Sequence, residues 1–259
     1  MVRFFPVRGR NVGNVHGSDL IEDSQLLESD AILKVHLNIF TVFRSTAQMY
    51  GNEDAVGAAV EKADIARDEV FVVTKTLSRN LAYDDLHDSF EDSLDRLKME
   101  SVDLLLIHEP SRSVPVEESI RAMNELQEAG RVRHIGVSNF SIRQLREAEA
   151  ASDTPIVTNQ VEYHPFTDQS QLLEHCVDNN IMLTAYSPLA VGRRLENETL
   201  VRIGERYGKS PAQVARRWLI QQENVSAIPK ASKRQHQEEN IDIFDFELTT
   251  TEMDAIFDL

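Results

Sequence analysis

Several polar side chains stand directly at the ends of short apolar runs. Lys75 follows Val-Val-Thr, His108 follows Leu-Leu-Leu-Ile, and Ser138 and Asn139 follow Ile-Gly-Val. Tyr186 ends Met-Leu-Thr-Ala, and Lys230 follows Ala-Ile-Pro. Lysine, histidine and tyrosine are side chains that hold or pass protons in catalysis. One such residue beside a strand is ordinary loop chemistry. The same placement at five strand ends points to a shared site, provided that the ends meet on one face. His108, His134 and His164 lie at or beside apolar runs. The chain has no His-x-His pair and no aspartate set at ligand spacing, so a metal-dependent hydrolase is poorly matched.

The elements that must position these residues repeat from residue 70 onward. The apolar runs are Val70–Thr74, Val102–Ile107, His134–Val137, Ile156–Val161, Ile181–Tyr186 and Val225–Ile228. Continuous runs of this length suit strands buried on both faces. Amphipathic segments lie between them. Leu86, Phe90, Leu94 and Leu97 form one stripe in Tyr83–Lys98, and Ile120, Met123 and Leu126 form another in Glu117–Ala129, which Gly130 stops. Ser210-Pro211 is an N-cap followed by proline at the first helical position, and Thr249-x-x-Glu252 is a capping box. Alternation of strand and helix predicts a parallel sheet, either doubly wound or closed as a (β/α)8 barrel. Neither common phosphate loop, G-x-G-x-x-G or G-x-x-x-x-G-K-[ST], occurs, which favours the barrel. A strand near Ile39–Phe43 makes seven, and one more in the first 20 residues would make eight, in a chain of the usual barrel length.

Composition narrows the partners. The 259 residues hold 43 acidic and 27 basic side chains, a formal charge of −16. That argues against nucleic acid or an anionic membrane as the main partner. Seven lysines against 20 arginines, on an acidic chain, fit a protein working in concentrated salt, or an ordinary acidic protein from a GC-rich genome. The single cysteine, Cys176, rules out an intramolecular disulfide framework and a cysteine-only zinc site; it falls in the helical pattern Leu172–Asp178, as a core residue. No run approaches the length of a membrane span, and Met1–Arg10 has no signal-peptide core. The expectation is a cytoplasmic, single-domain enzyme.

Seven motifs occur in order: Thr46-Ala47-Gln48-Met49-Tyr50-Gly51-Asn52-Glu53, Val72-Val73-Thr74-Lys75, Asp103-Leu104-Leu105-Leu106-Ile107-His108, Gly136-Val137-Ser138-Asn139-Phe140, Asn159-Gln160-Val161-Glu162, Ala185-Tyr186-Ser187-Pro188-Leu189 and Ile228-Pro229-Lys230. Together they resemble the aldo-keto reductase family, in the branch like 2,5-diketogluconate reductase, over residues 46–259. The resemblance implies a (β/α)8 barrel that reduces aldehydes and ketones with NADPH, NADH not being excluded. It implies Tyr50 as general acid, Lys75 as its partner and His108 as orienter of the carbonyl oxygen. Ser138, Asn139 and Gln160 would meet the carboxamide and Tyr186 the nicotinamide ring. Ser187 and Leu189 would lie along the pyrophosphate. Lys230 and Ser232 would meet the 2′-phosphate, and Glu239 and Asn240 the adenine. The chemistry is coherent, since a carbonyl oxygen gains negative charge on reduction and needs a proton donor. A lysine cation eases proton loss from a phenol.

Four departures stand out. His236 replaces an arginine that many relatives carry on the adenine side. Glu109 follows His108, where many relatives have an aromatic pocket wall. Ser45 replaces the aspartate that pairs with the catalytic lysine, which predicts weakened rather than absent turnover. The glycine-rich first strand of the family is missing. Residues 1–45 therefore read as an atypical segment, replaced or divergent relative to an ancestral enzyme, and 46–259 as the barrel. Glu22–Leu37 reads as a helix, with Leu26, Leu33 and Leu37 near one face. The competing functional reading is a non-catalytic, cofactor-binding barrel that senses redox state or is a remnant.

Overall fold

The computed structural model describes residues 30–31, 42–63, 66–190, 194–231 and 233–259. One sheet contains β1 (Asp30–Ala31), β2 (Val42–Ser45), β3 (Val70–Thr76), β4 (Val102–Ile107), β5 (Val132–Ser138), β6 (Ile156–Glu162), β7 (Met182–Tyr186) and β8 (Val225–Ala227). β1 runs antiparallel to β2, and every later neighbouring pair is parallel. Spatial order follows chain order with no reversal. A doubly wound sheet must reverse at a switch point. A sheet that never reverses keeps its helices on one side and curls, as in a (β/α)8 barrel.

The helices fall between and after the strands: α1 (Glu53–Lys62), α2 (Tyr83–Leu97), α3 (Val116–Glu128), α4 (Ile142–Ala151), α5 (Ser170–Asp178), α6 (Glu198–Tyr207), α7 (Pro211–Ile220), α8 (Arg234–Ile241) and α9 (Thr250–Phe257). The stripes expected for α2 and α3 are buried: Leu86, Phe90, Leu94 and Leu97 on one, Ile120, Met123 and Leu126 on the other. Gly130, just past α3, has φ +72°, a left-handed conformation that favours glycine. Ser210 Oγ accepts from Gln213 N with Pro211 opening α7, and Thr249 Oγ1 accepts from Glu252 N at α9. Such caps stabilise by about 1 kcal/mol each.

Two apolar clusters lie on opposite faces of the sheet. The larger fills the space between strands and helices, and includes Val72, Leu105, Ile107, Val137 and Trp218. The smaller joins Val73, Leu104 and Leu106 to Phe43, Phe71 and Val157 on the inner face. Phe43 and Phe71 stack there at 4.9 Å between centroids. Strand side chains alternate in direction. Ser45 therefore shares a face with Phe43, and Lys75 with Val73, so both belong to the inside.

The first elements differ from expectation. The expected strand at Ile39–Phe43 is described from Val42, and runs to Ser45. The strand expected in the first 20 residues lies outside the described residues. Within the expected helix Glu22–Leu37, Asp30–Ala31 instead pair as a strand with Arg44 and Ser45, because a sheet edge offers backbone partners that local periodicity does not show. The rest of that segment lies outside the described residues. Among the described residues no helix is long and apolar enough to cross a membrane. Cys176 is buried, and burial pushes its thiol up to about 12.

Candidate active site

The parallel strands β2–β8 present their C-terminal ends to one rim, and the candidate residues gather there. Tyr50 closes a short 3-10 turn, Gln48–Tyr50, between β2 and α1. Gly51 follows at φ +61°, which reverses the chain into the helix. The turn is clamped from several sides. Gln48 Nε2 donates to Ser89 O at 3.0 Å and Ser93 Oγ at 3.1 Å. Its Oε1 accepts from Leu77 N at 3.0 Å and Asn80 Nδ2 at 3.1 Å. Thr46 Oγ1 donates to Asn52 Oδ1 at 2.7 Å. Buried Glu53 accepts from Thr74 Oγ1 at 2.5 Å and Arg96 Nε at 2.8 Å. Thr46, Gln48, Asn52 and Glu53 all belong to the first of the seven motifs. Their role is to hold the loop that carries Tyr50.

Lys75 is 1% exposed and Tyr50 43% exposed. Lys75 Nζ donates to Thr46 O at 3.2 Å and reaches Tyr50 Oη at 3.4 Å. A buried ammonium thus touches the oxygen of a phenol that faces outward. His108 N continues the β3 pairing to Thr76 O at 3.0 Å. Its ring lies edge-on to Tyr50, with centroids 5.8 Å apart. Desolvation, then the Lys75 charge, lowers the His108 pKa to about 4, while Glu109 opposes the shift. The imidazole is neutral at pH 7. Nδ1 is buried with no hydrogen-bond partner among the described residues, so Nε2 is the nitrogen left to serve the rim. Glu109 itself accepts from Ser78 Oγ at 2.9 Å. Ser45 is 1% exposed, and its Oγ has no hydrogen-bond partner among the described residues.

A second group forms one network. Ser138 Oγ donates to Gln160 O at 2.7 Å. Asn139, at φ 62°, donates through Nδ2 to His108 O at 3.0 Å and Ser138 Oγ at 3.2 Å. Tyr186 Oη donates to Asn139 Oδ1 at 3.0 Å. Desolvation and nearby Glu162 raise the Tyr186 pKa, so it remains a phenol. The Gln160 side-chain amide makes no hydrogen bond among the described residues, although the residue is buried. It is the polar end that this network leaves available.

The remaining candidates are spread along the rim. Ser187 and Ala190 have φ 48° and 49° and enclose a tight turn, with Ala190 N donating to Ser187 O at 2.9 Å and Leu189 packed on the core between them. Lys230 is exposed, as is His236 on α8. Ser232 lies outside the described residues. Glu239 Oε1 accepts from Gln235 Nε2 at 2.9 Å. Asn240 is buried, and its Oδ1 accepts from Arg216 Nη1. Sequence reasoning did not single out Arg216. Its signal was the buried pair Arg216-Arg217 amid the apolar residues of α7.

The model of the Aldo/keto reductase family matches residues 21–259, starting 25 residues before the first quoted motif. Glyoxal reductase of Bacillus subtilis (strain 168) is 40% identical over 211 residues, covering 82% of this chain and 76% of that protein. A crystal structure provisionally assigned as 2,5-diketo-D-gluconic acid reductase B is 46% identical, with a TM-score of 0.82 over 84% of this chain and 77% of its own. A Bombyx mori aldo-keto reductase in complex with NADP is 32% identical, with a TM-score of 0.78 over 83% of this chain and 77% of its own.

Proposed function

Because the chain belongs to the aldo/keto reductase family, whose members reduce carbonyl compounds with a nicotinamide cofactor, we propose that it reduces an aldehyde or ketone to an alcohol with NADPH. The observation that carries this reading is the buried Lys75 ammonium against the outward-facing Tyr50 phenol. Bound nicotinamide supplies the hydride. Tyr50 Oη delivers the proton to the oxygen that gains charge. Lys75 stabilises the resulting tyrosinate. Neutral His108 donates through Nε2 to the same oxygen and orients it.

The residues present fit the cofactor. Gln160 keeps a polar end inside an otherwise satisfied network, which suits a carboxamide. Tyr186 is fixed by Asn139, so its ring is a ready stacking surface. Ser138 and Asn139 hold that network in place. Ser187 and Leu189 belong to the tight turn proposed beside the pyrophosphate. Lys230 and Ser232 would meet a 2′-phosphate, Lys230 as a point charge. Glu239, Asn240 and His236 would face the adenine. His236 brings no fixed charge, so preference for NADPH over NADH rests on Lys230. Glu109 beside His108, held by Ser78, puts a carboxylate where many relatives have an aromatic residue.

Ser45 supplies no carboxylate on the inner face that it shares with Lys75. Slower turnover follows, because small losses of orientation cost large rate factors. The same residue favours the second reading, a barrel that binds cofactor without catalysis. One sample separates the two: NADPH fluorescence titration, then NADPH consumption with a reactive aldehyde. Binding with turnover is expected. Binding without turnover establishes the second reading, and no binding refutes both.

A further inference from the structure

The reaction outlined above makes no use of Arg216. This residue lies on α7 and is 2% exposed. Its Nη1 donates to Asn240 Oδ1, and its Nη2 donates to Glu239 O at 2.9 Å. Its Nε has no hydrogen-bond partner among the described residues. Desolvation lowers its pKa to about 10, so the guanidinium stays charged at neutral pH. Burying a charge of this kind carries a penalty of several kcal/mol, and an apolar side chain of similar volume often serves stability as well. The Glu239 carbonyl is one of the last four of α8 (Arg234–Ile241), which lack helical partners, so part of the role is to cap that helix.

The contact to Asn240 does something a helix cap does not. An asparagine amide has an accepting oxygen and a donating nitrogen, and can turn either end outward. A guanidinium only donates, so it holds the oxygen inward. Asn240 Nδ2, with no hydrogen bond among the described residues, is then the end left for a ligand. We infer that Arg216 is a positioning residue that locks the Asn240 amide with Nδ2 outward, as a fixed donor to a ring nitrogen of a purine base. The inference rests on the reading that Asn240 meets the adenine of NADPH.

Calorimetric titration of adenosine 2′,5′-bisphosphate tests this without nicotinamide or turnover. The proteins are wild type, Arg216→Met, Asn240→Ala and the double variant, each checked for a cooperative thermal transition. Each single variant is expected to weaken binding roughly tenfold, about the loss of one hydrogen bond. The double variant is expected to lose no more than either single variant, because Arg216 acts through Asn240. Losses that multiply, or wild-type affinity in Arg216→Met, overturn the inference. If Arg216→Met does not fold, Arg216→Gln, which can donate or accept and so no longer fixes the amide, replaces it in the same cycle. There, wild-type affinity, or a loss that multiplies with Asn240→Ala, overturns the inference. If wild type binds NADPH but not the bisphosphate, the adenine assignment fails and takes the inference with it. If neither binds, the proposed function itself has failed.

Discussion

His108 is expected to titrate far below an ordinary histidine, and the direction of each cause can be tested alone. Its pKa falls from 6.5 to about 4, first through desolvation and then through Lys75, with Glu109 pulling the other way. The shift corresponds to at most about 3–4 kcal/mol between protonation states, less what water at the open side screens. Titrating the imidazole by NMR in the cofactor-free protein should give a midpoint near 4. Lys75→Met removes a like charge and should raise the midpoint, though not to 6.5, because desolvation is the larger cause. Glu109→Gln removes an attractive charge and should lower it further. The same shift links to stability with a definite sign. Between pH 6.5 and about 4 the unfolded chain binds the His108 proton and the folded chain does not. The contribution of His108 is therefore fully present above 6.5, is lost as pH falls toward 4, and is flat below that. A wild-type midpoint at or above 6.5, or an upward shift in Glu109→Gln, refutes this account of the site.

Three further outcomes follow from particular residues. Ser45→Asp should raise aldehyde turnover several-fold, up to the roughly hundredfold that positioning can cost, and unchanged or lower turnover in the folded variant ends the argument from Ser45. Gly57→Ala should lower stability to urea by about 1–3 kcal/mol, because the added Cβ would meet the Leu97 carbonyl at 2.2 Å; equal or higher stability refutes that contact. With a net charge of −16, raising potassium chloride from about 0.1 M to 1 M shortens the screening length from about 10 Å to 3 Å and should raise the melting temperature by several degrees, whereas a fall refutes repulsion as the limiting cost.

The strands from β3 onward were legible because fully buried parallel strands are continuous apolar runs, and α2 and α3 because one stripe of each is buried. Caps at Ser210 and Thr249 were legible because capping chemistry is local. β1 was not, since two residues paired to an edge leave no periodic trace. The ordered motifs located Tyr50, Lys75 and His108, but not why Tyr50 stays in place. Gln48 binds Ser89, Ser93, Leu77 and Asn80, all at least 29 residues away in the chain, and side-chain contacts across such separations have no signature in spacing. Arg216 escaped for the same reason. The arginine pair on α7 marks an anomaly, while the Arg216 partner Asn240, 24 residues on, appears only in three dimensions.

The proposed function stands or falls on Tyr50, supported by Lys75, as proton donor to the carbonyl oxygen. The most direct test compares wild type with Tyr50→Phe in single-turnover reduction of a reactive aldehyde at saturating NADPH, after each protein has been titrated with NADPH. Intact cofactor binding is expected in both, with a loss in the chemical step of about 10²–10⁴-fold in the variant. An unchanged rate in a variant that still binds NADPH would contradict it.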